Sequence, residues 1–317
     1  MKVISSFEEI NAPFKKAVIT IGNFDGVHIG HQALFHEVIQ KAESRDGTSI
    51  AVTFDPHPMR VLHKNNPLPL ITRKEQKIEL MARADLDVLI CVPFTKTFAA
   101  LTPREFVEDI LIRKIGMVAI VDGRDYTFGK NRAGNVGMLQ TFAELFDFEI
   151  ILTDWIQVSR SDGGRISSTK IRDLVAAGEV DKAHPLLGRF YQVRGIVASG
   201  RDRGGKLLGF PTANITLQDE LCPKTGVYAV TVECKHGQYD GVANIGYSPT
   251  FDDHIFTVEV HILDFDMNIY GSQIRVNFIK RIRDELKFSS IGELSDQIKL
   301  DVIESREIIA RMVHQQR

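Results

Sequence analysis

Short apolar runs alternate with amphipathic segments through the first half of the chain, and this alternation limits the possible folds more than any other feature. The apolar runs are rich in β-branched residues and lack apolar–polar alternation, which predicts buried parallel strands. These strands are Ala17–Gly22, Ser49–Phe54, Leu86–Val92, Met117–Asp122 and Phe148–Thr153. The segments between them predict helices at Gln32–Ser44, Lys74–Ala84, Pro103–Lys114 and Met138–Leu145. The pattern is typical of a doubly wound, Rossmann-like α/β domain, in which ligands bind beyond the carboxyl ends of the strands.

The second half has a different pattern, because Gly, Pro and Asp separate strand-like runs from residue 190 to residue 280. The runs are Tyr191–Ala198, Val227–Cys234, Gly241–Ile245, Phe256–Asp264 and Gln273–Lys280. Strands at such short spacing predict an all-β domain, a compact antiparallel barrel, and Ser289–Gln316 predicts a terminal helix. Two short helices, Ser168–Ala176 and Val180–His184, are expected to close the first half. We place the domains at 1–184 and 185–317, with Pro185 as the helix breaker.

Composition excludes several classes of protein. In 317 residues the hydrophobic fraction is 44% and the charged fraction 25%, which excludes long disorder, collagen and coiled coils. A net charge of −2 lacks the overall positive charge that is typical of nucleic-acid-binding proteins. The apolar runs are too short to cross a membrane. The cysteines Cys91, Cys222 and Cys234 lack C-x-x-C spacing, and no secretory signal opens the chain. We therefore expect a cytoplasmic protein that binds neither nucleic acid nor membrane.

The strand Ala17–Gly22 runs directly into a glycine-rich turn that ends in His28-Ile29-Gly30-His31, before a helix. Glycines allow a tight turn and close approach of the backbone to a ligand, and a helix N-terminus favours negative charge. Two histidines three residues apart can face the same way and stabilise charge on a phosphate during its transfer. On spacing alone, a pair of surface residues or a fortuitous metal pair is an equal alternative.

The segment from Gly22 to His31, which reads G-N-F-D-G-V-H-I-G-H, resembles the His-x-Gly-His nucleotidyltransferases and in particular their FAD synthetase branch. The resemblance implies that His28 and His31 stabilise the α-phosphate of ATP during adenylyl transfer to FMN. It also implies that Gly22, Asp25 and Gly30 contribute to nucleotide binding.

Three further stretches agree with this branch: 53–58 (T-F-D-P-H-P), 123–129 (G-R-D-Y-T-F-G) and 166–172 (I-S-S-T-K-I-R). In the last of them, Ser168 and Thr169 can simply cap a helix, and Arg172 adds a donor suited to phosphate. The resemblance implies that these three residues hold the phosphates of ATP. In the middle stretch Arg124 and Tyr126 depart from the family pattern, while Asp125 keeps the polar side chain that binds nucleotide or metal.

The segment 200–207, G-R-D-R-G-G-K-L, has nearly the spacing of a Walker A loop. Leu207 stands where the magnesium-binding Ser or Thr belongs, and barrel strands surround the loop, which argues against a Walker NTPase. Gly204 and Lys206 can still bind phosphate through backbone N–H groups and positive charge. Just beyond, Thr212 and Asn214 would share one face of an extended segment and offer oxygens of the kind that Mg²⁺ accepts. A simple turn is the alternative for this Pro-Thr-x-Asn segment.

This second region resembles the riboflavin kinase (flavokinase) family through 208–214, 244–251 and 259–265. The resemblance implies that Thr212 and Asn214 coordinate Mg²⁺ with the nucleotide, and that Asn244 contributes to the binding site. It implies that Glu259 is the general base for the 5′-hydroxyl of riboflavin; a solvated strand glutamate is the alternative. Val260 stands where the family usually has Thr.

The basic run 280–288, K-R-I-R-D-E-L-K-F, is interrupted by Asp284 and Glu285 and has few aromatic residues, which argues against a nucleic-acid surface. In the flavokinase family this stretch lies beside the flavin, which makes Arg283 a candidate contact to flavin or phosphate.

Together the resemblances imply a bifunctional riboflavin kinase/FAD synthetase. It would use ATP and Mg²⁺ to convert riboflavin to FMN and a second ATP to convert FMN to FAD, and oligomerisation is left open. One alternative is a different nucleotidyltransferase whose barrel only binds or regulates. A second is a non-enzymatic flavin- or RNA-binding regulator on the same scaffold. The presence of Glu259, Asn214, His28 and Arg172 argues against both alternatives.

Overall fold

The computed structural model describes residues 1–63, 68–154, 165–198, 212–217, 220–247 and 256–315. The chain divides into two compact units, 1–168 and 169–317. The first unit is an α/β domain built on a parallel sheet, and the second contains a closed antiparallel barrel with helices. Both fold classes predicted from the sequence are confirmed.

The first unit is built on a six-stranded parallel sheet. Its strands are β1 (Lys2–Ile4), β2 (Ala17–Ile21), β3 (Ser49–Asp55), β4 (Val88–Pro93), β5 (Met117–Gly123) and β8 (Glu149–Thr153), and a hairpin adds β6 (Thr127–Phe128) and β7 (Gly134–Asn135). The strand order is β1-β4-β3-β2-β5-β8. The order reverses between β2 and β5, so the carboxyl ends of these two strands border the crevice in which ligands of such sheets bind.

Helices cover both faces of this sheet. They are α1 (Ile29–Glu43), α2 (Pro58–Leu62), α3 (Lys74–Ala82), α4, which starts as Pro103–Glu105 and continues as a π-helix over Phe106–Ile115, and α5 (Val136–Phe146). On one face Phe35 and Val38 of α1 pack on the sheet, and on the other Val107 and Leu111 of α4 do so. All four side chains are fully buried. The predicted two-sided cover of the sheet is therefore confirmed.

The second unit contains a closed barrel of six antiparallel strands in the order β10-β13-β12-β11-β14-β9. The strands are β9 (Tyr191–Ala198), β10 (Thr212–Thr216), β11 (Gly226–Cys234), β12 (Gly237–Tyr247), β13 (Phe256–Ile262) and β14 (Gln273–Arg283). Residues such as Val230, Val258, Val260 and Phe278 are completely buried and form its interior. Val260 is thus a core residue, so a valine in place of threonine leaves the outer face of β13 unchanged.

In the part of the second unit that the structure describes, three helices accompany the barrel: α6 (Ser168–Ala176), α7 (Val180–Leu187) and α8 (Ile291–Gln315). Ile308 and Ile309 of α8 pack on Ala229 and Ile279 of the barrel wall. No helix of the described ranges is both long and apolar enough to cross a membrane.

The prediction that Pro185 breaks the helix was wrong. Pro185 lies inside α7, which ends at Gly188 with a φ of 70°. Burial of Val180, Ala183, Leu186 and Leu187 stabilises this short helix, although proline removes one backbone donor. The placement of the domain boundary near residue 184 stays a prediction.

Candidate active sites

The first candidate site begins in the turn that connects β2 to α1. A side chain at Gly22 would place its Cβ 2.7 Å from the ring of Phe24, so only glycine allows that ring to fold back over the strand end. Phe24 and Val27 have φ angles of 47° and 41°, in the left-handed region that non-glycine residues avoid. Strained backbone of this kind persists only where surrounding contacts hold it, and it concentrates at functional sites.

His28 and His31 lie together at the first turn of α1. Their imidazole rings stack with centroids 3.5 Å apart and an interplanar angle of 16°. His28 is the N-cap residue, and its Nδ1 accepts a hydrogen bond of 3.3 Å from the backbone N–H of His31. In the neutral ring this leaves the proton on Nε2. The structure therefore brings the two predicted residues into direct contact at a helix N-terminus.

Gly30 leaves space for the first of these rings. A Cβ at Gly30 would lie 3.2 Å from both Cε1 and Nδ1 of His28. This separation is tighter than an ordinary van der Waals contact, so a side chain there would push the imidazole away. Gly30 thus acts on the site by shaping the position of His28.

Asp25 is 3% exposed, and its carboxylate binds a neighbouring segment of the chain. Oδ1 accepts hydrogen bonds from the backbone N–H (3.0 Å) and the hydroxyl (3.3 Å) of Thr72, and Oδ2 accepts from the N–H of Ile71 (3.2 Å). The carbonyl of Asp25 accepts a further bond of 2.8 Å from the Ser168 hydroxyl. These contacts fix the middle of the turn that leads to His28.

Asp125 lies in the loop after β5 and pairs with Arg165, with 2.6 Å between Oδ2 and Nη1. Arg124, one of the two departures from the family pattern, pairs with Asp154 at 2.9 Å, and its side chain lies at the protein surface. Tyr126 stacks on Phe128, with centroids 5.4 Å apart, and packs on the core of the first unit. The other departure from the family pattern is therefore a packing residue.

Asp122, at the carboxyl end of β5, was not predicted from the sequence. Its Oδ1 accepts a 2.8 Å bond from the N–H of Gly123, whereas Oδ2 is enclosed and has no hydrogen-bond partner within the described part of the chain. Burial raises the pKa of Asp122 to about 8. The carboxyl is therefore mainly protonated at neutral pH. One sequence signal could have identified Asp122: it is an acidic residue at the end of an otherwise apolar strand, and that strand borders the crevice where the strand order reverses.

A group of aromatic side chains surrounds the carboxyl ends of β3 and β4. Phe98 lies at its centre, with ring centroids 5.7 Å from Phe54, 5.7 Å from Phe94 and 6.0 Å from Phe106. Phe54, Phe94 and Phe98 are half-buried, so part of each ring faces solvent. Partly open aromatic rings suit a flat aromatic ligand.

Ser168, Thr169 and Arg172 all lie in the first five residues of α6. Ser168 and Arg172 are four residues apart and share a face of this helix. Thr169 is exposed and Arg172 is half-buried. The helix start thus presents a hydroxyl group and a guanidinium group close together in sequence and space.

The second candidate site is a row of side chains across three neighbouring barrel strands. Glu259 of β13 is in register with Asn214 of β10 on one side and with Asn244 of β12 on the other. The next pair along the same face is Thr212 and His261. Asn214, Asn244 and Thr212 are half-buried on the outer face, whereas their chain neighbours point into the core. The predicted shared face of Thr212 and Asn214 is therefore present.

Glu259 is exposed as a whole, yet surrounding protein removes part of the water around its carboxyl group and raises the pKa. A raised pKa makes a carboxylate a better proton acceptor. In the described residues, no cluster of three or more His, Cys, Asp or Glu could hold a metal ion. Neutral oxygens with a single carboxylate nevertheless fit Mg²⁺ that is held mainly by nucleotide phosphates and water.

Arg283 ends β14 and donates from Nε and Nη2 to Asp301 of α8, and from Nη1 to the carbonyl of Asp284 (2.9 Å). Among the described residues, these partners use three of its five N–H groups, which leaves two for a ligand. The predicted phosphate-binding residues Gly204 and Lys206 lie outside the described residues.

Comparison with known proteins gives matches over both units. The family model of FAD synthetase matches residues 10–170, and that of riboflavin kinase matches residues 187–309. A bifunctional riboflavin kinase/FMN adenylyltransferase of Haemophilus influenzae is 38% identical over 306 residues, 95% of this chain and 97% of the relative. The protein of that name from Escherichia coli is 37% identical over 309 residues and 97% of both chains.

A solved structure from Streptococcus pneumoniae, titled a macrolide-efflux protein, superposes with a TM-score of 0.85. It is 34% identical in sequence, and the match covers 96% of this chain and 98% of that one. The chain thus shares its fold with the Streptococcus pneumoniae protein along nearly the whole length of both chains.

Proposed function

Because the chain belongs to the bifunctional riboflavin kinase/FMN adenylyltransferase family, it has two activities, and we propose how its residues divide them. One activity phosphorylates riboflavin with ATP to give FMN and ADP. The other transfers the adenylyl group of a second ATP to FMN, which gives FAD and pyrophosphate. The first unit carries the adenylyl transfer and the barrel carries the kinase reaction.

In adenylyl transfer a phosphate oxygen of FMN attacks the α-phosphorus of ATP, and the bond from that phosphorus to the pyrophosphate oxygen breaks. Negative charge builds up on the other α-phosphate oxygens. The Nε2–H of His28, the imidazole of His31 and the N-terminus of α1 stabilise this charge. The observation that supports these roles best is the stacked histidine pair at the helix N-terminus.

The remaining residues of the first site hold the substrates. Ser168, Thr169 and Arg172 bind the phosphates of ATP, and Asp125 binds nucleotide or metal. Gly22, Asp25 and Gly30 contribute through the shape of the turn, as their contacts support. The half-open aromatic rings around Phe98 hold the isoalloxazine ring of FMN.

In the kinase reaction Glu259 accepts the proton of the riboflavin 5′-hydroxyl, whose oxygen attacks the γ-phosphorus of ATP, and ADP leaves. Thr212 and Asn214 hold Mg²⁺, which when bound neutralises charge on the nucleotide phosphates. Asn244, on the other side of Glu259, orients the carboxylate or the substrate. Gly204 and Lys206 bind phosphate, and Arg283 uses its two remaining N–H groups for flavin or phosphate.

A chromatographic time course with riboflavin, ATP and Mg²⁺ tests this division. The wild-type protein is expected to form FMN first and FAD second. His28→Ala is expected to accumulate FMN, whereas Asn214→Ala forms no FMN but still converts added FMN to FAD. If either substitution stopped both reactions in a folded protein, the separation of the two sites would be wrong.

The cytoplasmic location and the possible oligomer stay predictions. The described cysteines Cys91, Cys222 and Cys234 are all free thiols, which supports a reducing compartment. Size-exclusion chromatography with light scattering would give the number of subunits.

A further inference from the structure

Lys77 is a buried lysine that the reaction scheme above does not use. It lies in α3, and the residue is only 6% exposed. Its ammonium group donates to the carbonyl of Asn23 (3.3 Å), the hydroxyl of Thr53 (3.2 Å) and the carbonyl of Phe54 (3.1 Å). These acceptors lie at the carboxyl ends of β2 and β3, two adjacent strands at the edge where the sheet binds ligands.

An ammonium group in this position is costly to the fold. All three acceptors are uncharged, and within the described ranges no carboxylate forms an ion pair with Lys77. Lys74, one turn earlier in α3, instead pairs with Asp55 at 3.2 Å and keeps 46% of its side chain exposed. Burial lowers the pKa of Lys77, as expected for a cation removed from water. The nearby carboxylates of Asp25 and Asp55 favour the charged form but do not outweigh the effect of burial, so the placement of this ammonium group needs an explanation beyond filling space.

The contacts of Lys77 fix the first residue of the histidine turn. The carbonyl of Asn23 accepts from both Lys77 and the Thr53 hydroxyl, the latter at 3.2 Å. Phe24, the next residue, is the first residue within this turn that has left-handed backbone. Asp25 fixes the middle of the turn through the N–H groups of Ile71 and Thr72, just before α3. The Thr72 hydroxyl also accepts a 3.0 Å bond from the N–H of Gly26, so the segment from Ile71 to Lys77 holds three residues of the strained turn.

We propose that Lys77 is a positioning residue for adenylyl transfer, which holds the turn from Asn23 to His28 so that the histidine pair meets the α-phosphate of ATP. This inference rests on the proposed roles of His28 and His31. Displacing a catalytic group by about 1 Å can cost on the order of 100-fold in rate. Loss of Lys77 should therefore slow the chemical step more than it weakens binding.

Lys77→Met, which keeps the unbranched shape of the side chain up to its ε position and removes the charged group, tests the proposal in the full-length protein. We expect kcat for FAD formation from FMN to fall roughly 10–100-fold, with the KM values for ATP and FMN changed less than about 3-fold. Formation of FMN from riboflavin should keep its wild-type rate and shows that the chain is folded. Lys41→Met is the matched control, because Lys41 is a solvent-accessible lysine on α1 that pairs with Glu37.

Thr53→Val provides a second variant that keeps the shape of the side chain. It removes the hydroxyl group between Lys77 and Asn23, and we expect a smaller fall in kcat. Its effect should be less than additive with that of Lys77→Met, because both act on the carbonyl of Asn23. If Lys77→Met does not fold, Thr53→Val decides: an unchanged kcat overturns the proposal.

A folded Lys77→Met protein with kcat within 2-fold of wild type also overturns the proposal, as does a rise in KM without a fall in kcat. His28→Ala measured in parallel separates this failure from failure of the proposed function. If His28→Ala also leaves FAD formation unchanged, the assignment of the histidine pair itself is wrong.

Discussion

Arg283 and Asp301 form a two-point ion pair between the last barrel strand and the terminal helix. The distances are 2.8 Å from Nε to Oδ1 and 2.7 Å from Nη2 to Oδ2, and only 3% of the Asp301 side chain is exposed. Gln297 of α8 adds a third hydrogen bond to this carboxylate, at 3.0 Å. The pair therefore joins α8 to the barrel wall beside the proposed kinase site.

Breaking this pair should destabilise the second unit. Arg283→Met leaves the Asp301 carboxylate buried with Gln297, and we expect a loss of roughly 3–5 kcal/mol in the free energy of unfolding. Chemical denaturation followed by circular dichroism measures it. Arg306→Met is the matched control, because Arg306 forms a similar two-point pair with Asp264 that is exposed on both sides. That control should cost less than about 1 kcal/mol; equal losses would contradict the prediction.

The buried carboxyl of Asp122 should make stability depend on pH. Its pKa is raised to about 8 in the folded protein, whereas an unfolded Asp ionises near 3.9. Between these values only the folded state holds the proton, so the free energy of unfolding falls as pH rises from 4 to 8. Asp122→Asn removes this contribution. The free energy of unfolding of this variant, relative to that of the wild type, should rise by roughly 1–4 kcal/mol between pH 5 and pH 8. If the difference between the two proteins did not change with pH, the raised pKa of Asp122 would be wrong.

Gly30→Ala should affect the first reaction alone. The added Cβ would lie 3.2 Å from the His28 ring and displace it from its position over the helix start. We expect kcat for FAD formation to fall on the order of 10-fold or more, while riboflavin phosphorylation is unchanged. Gly292→Ala is the control, because its Cβ would lie 3.8 Å from the nearest atom, Ser290 Oγ, in α8. Steady-state kinetics of both reactions would measure the difference.

Glu259→Gln should remove the proposed general base and keep the shape of the side chain. Loss of a general base typically lowers the rate by roughly 10²–10⁴-fold, so kcat for FMN formation should fall within that range. Conversion of added FMN to FAD should continue at the wild-type rate, which serves as the control within the same molecule. A kinase rate within 3-fold of wild type would show that Glu259 is a solvated strand residue instead.

Periodicity and glycine placement predicted most of the architecture. The inner strands β2, β3, β4 and β5 follow the apolar runs closely, because both faces of a central parallel strand are buried. The edge strand β8 was also predicted from its apolar run, although none of its residues is fully buried. The edge strand β1 was missed, since it has three residues and two of them are exposed. The π-helical part of α4 was predicted as an ordinary helix, because its apolar spacing fits both.

The candidate sites divide along similar lines. The histidine turn was found because its residues lie close together in sequence, whereas the residues of the row around Glu259 came from separate motifs through the family resemblance. Lys77 was missed, because its segment K-E-Q-K-I-E-L has the polar composition of a solvent-exposed helix. The groups that accept its hydrogen bonds also lie 23 to 54 residues away from it in sequence. Its role depends on contacts between adjacent strand ends, which appear only in three dimensions.

The register of β13 limits how the lengths of related barrels can vary. Glu259 faces Asn214 and Asn244 because successive side chains of a strand point to opposite faces. Inserting one residue before Glu259 would turn the carboxylate into the core and bring a buried valine outside, although the strand would still pair. Insertions or deletions within these strands should therefore involve two residues at a time, whereas single-residue insertions should occur only in the loops.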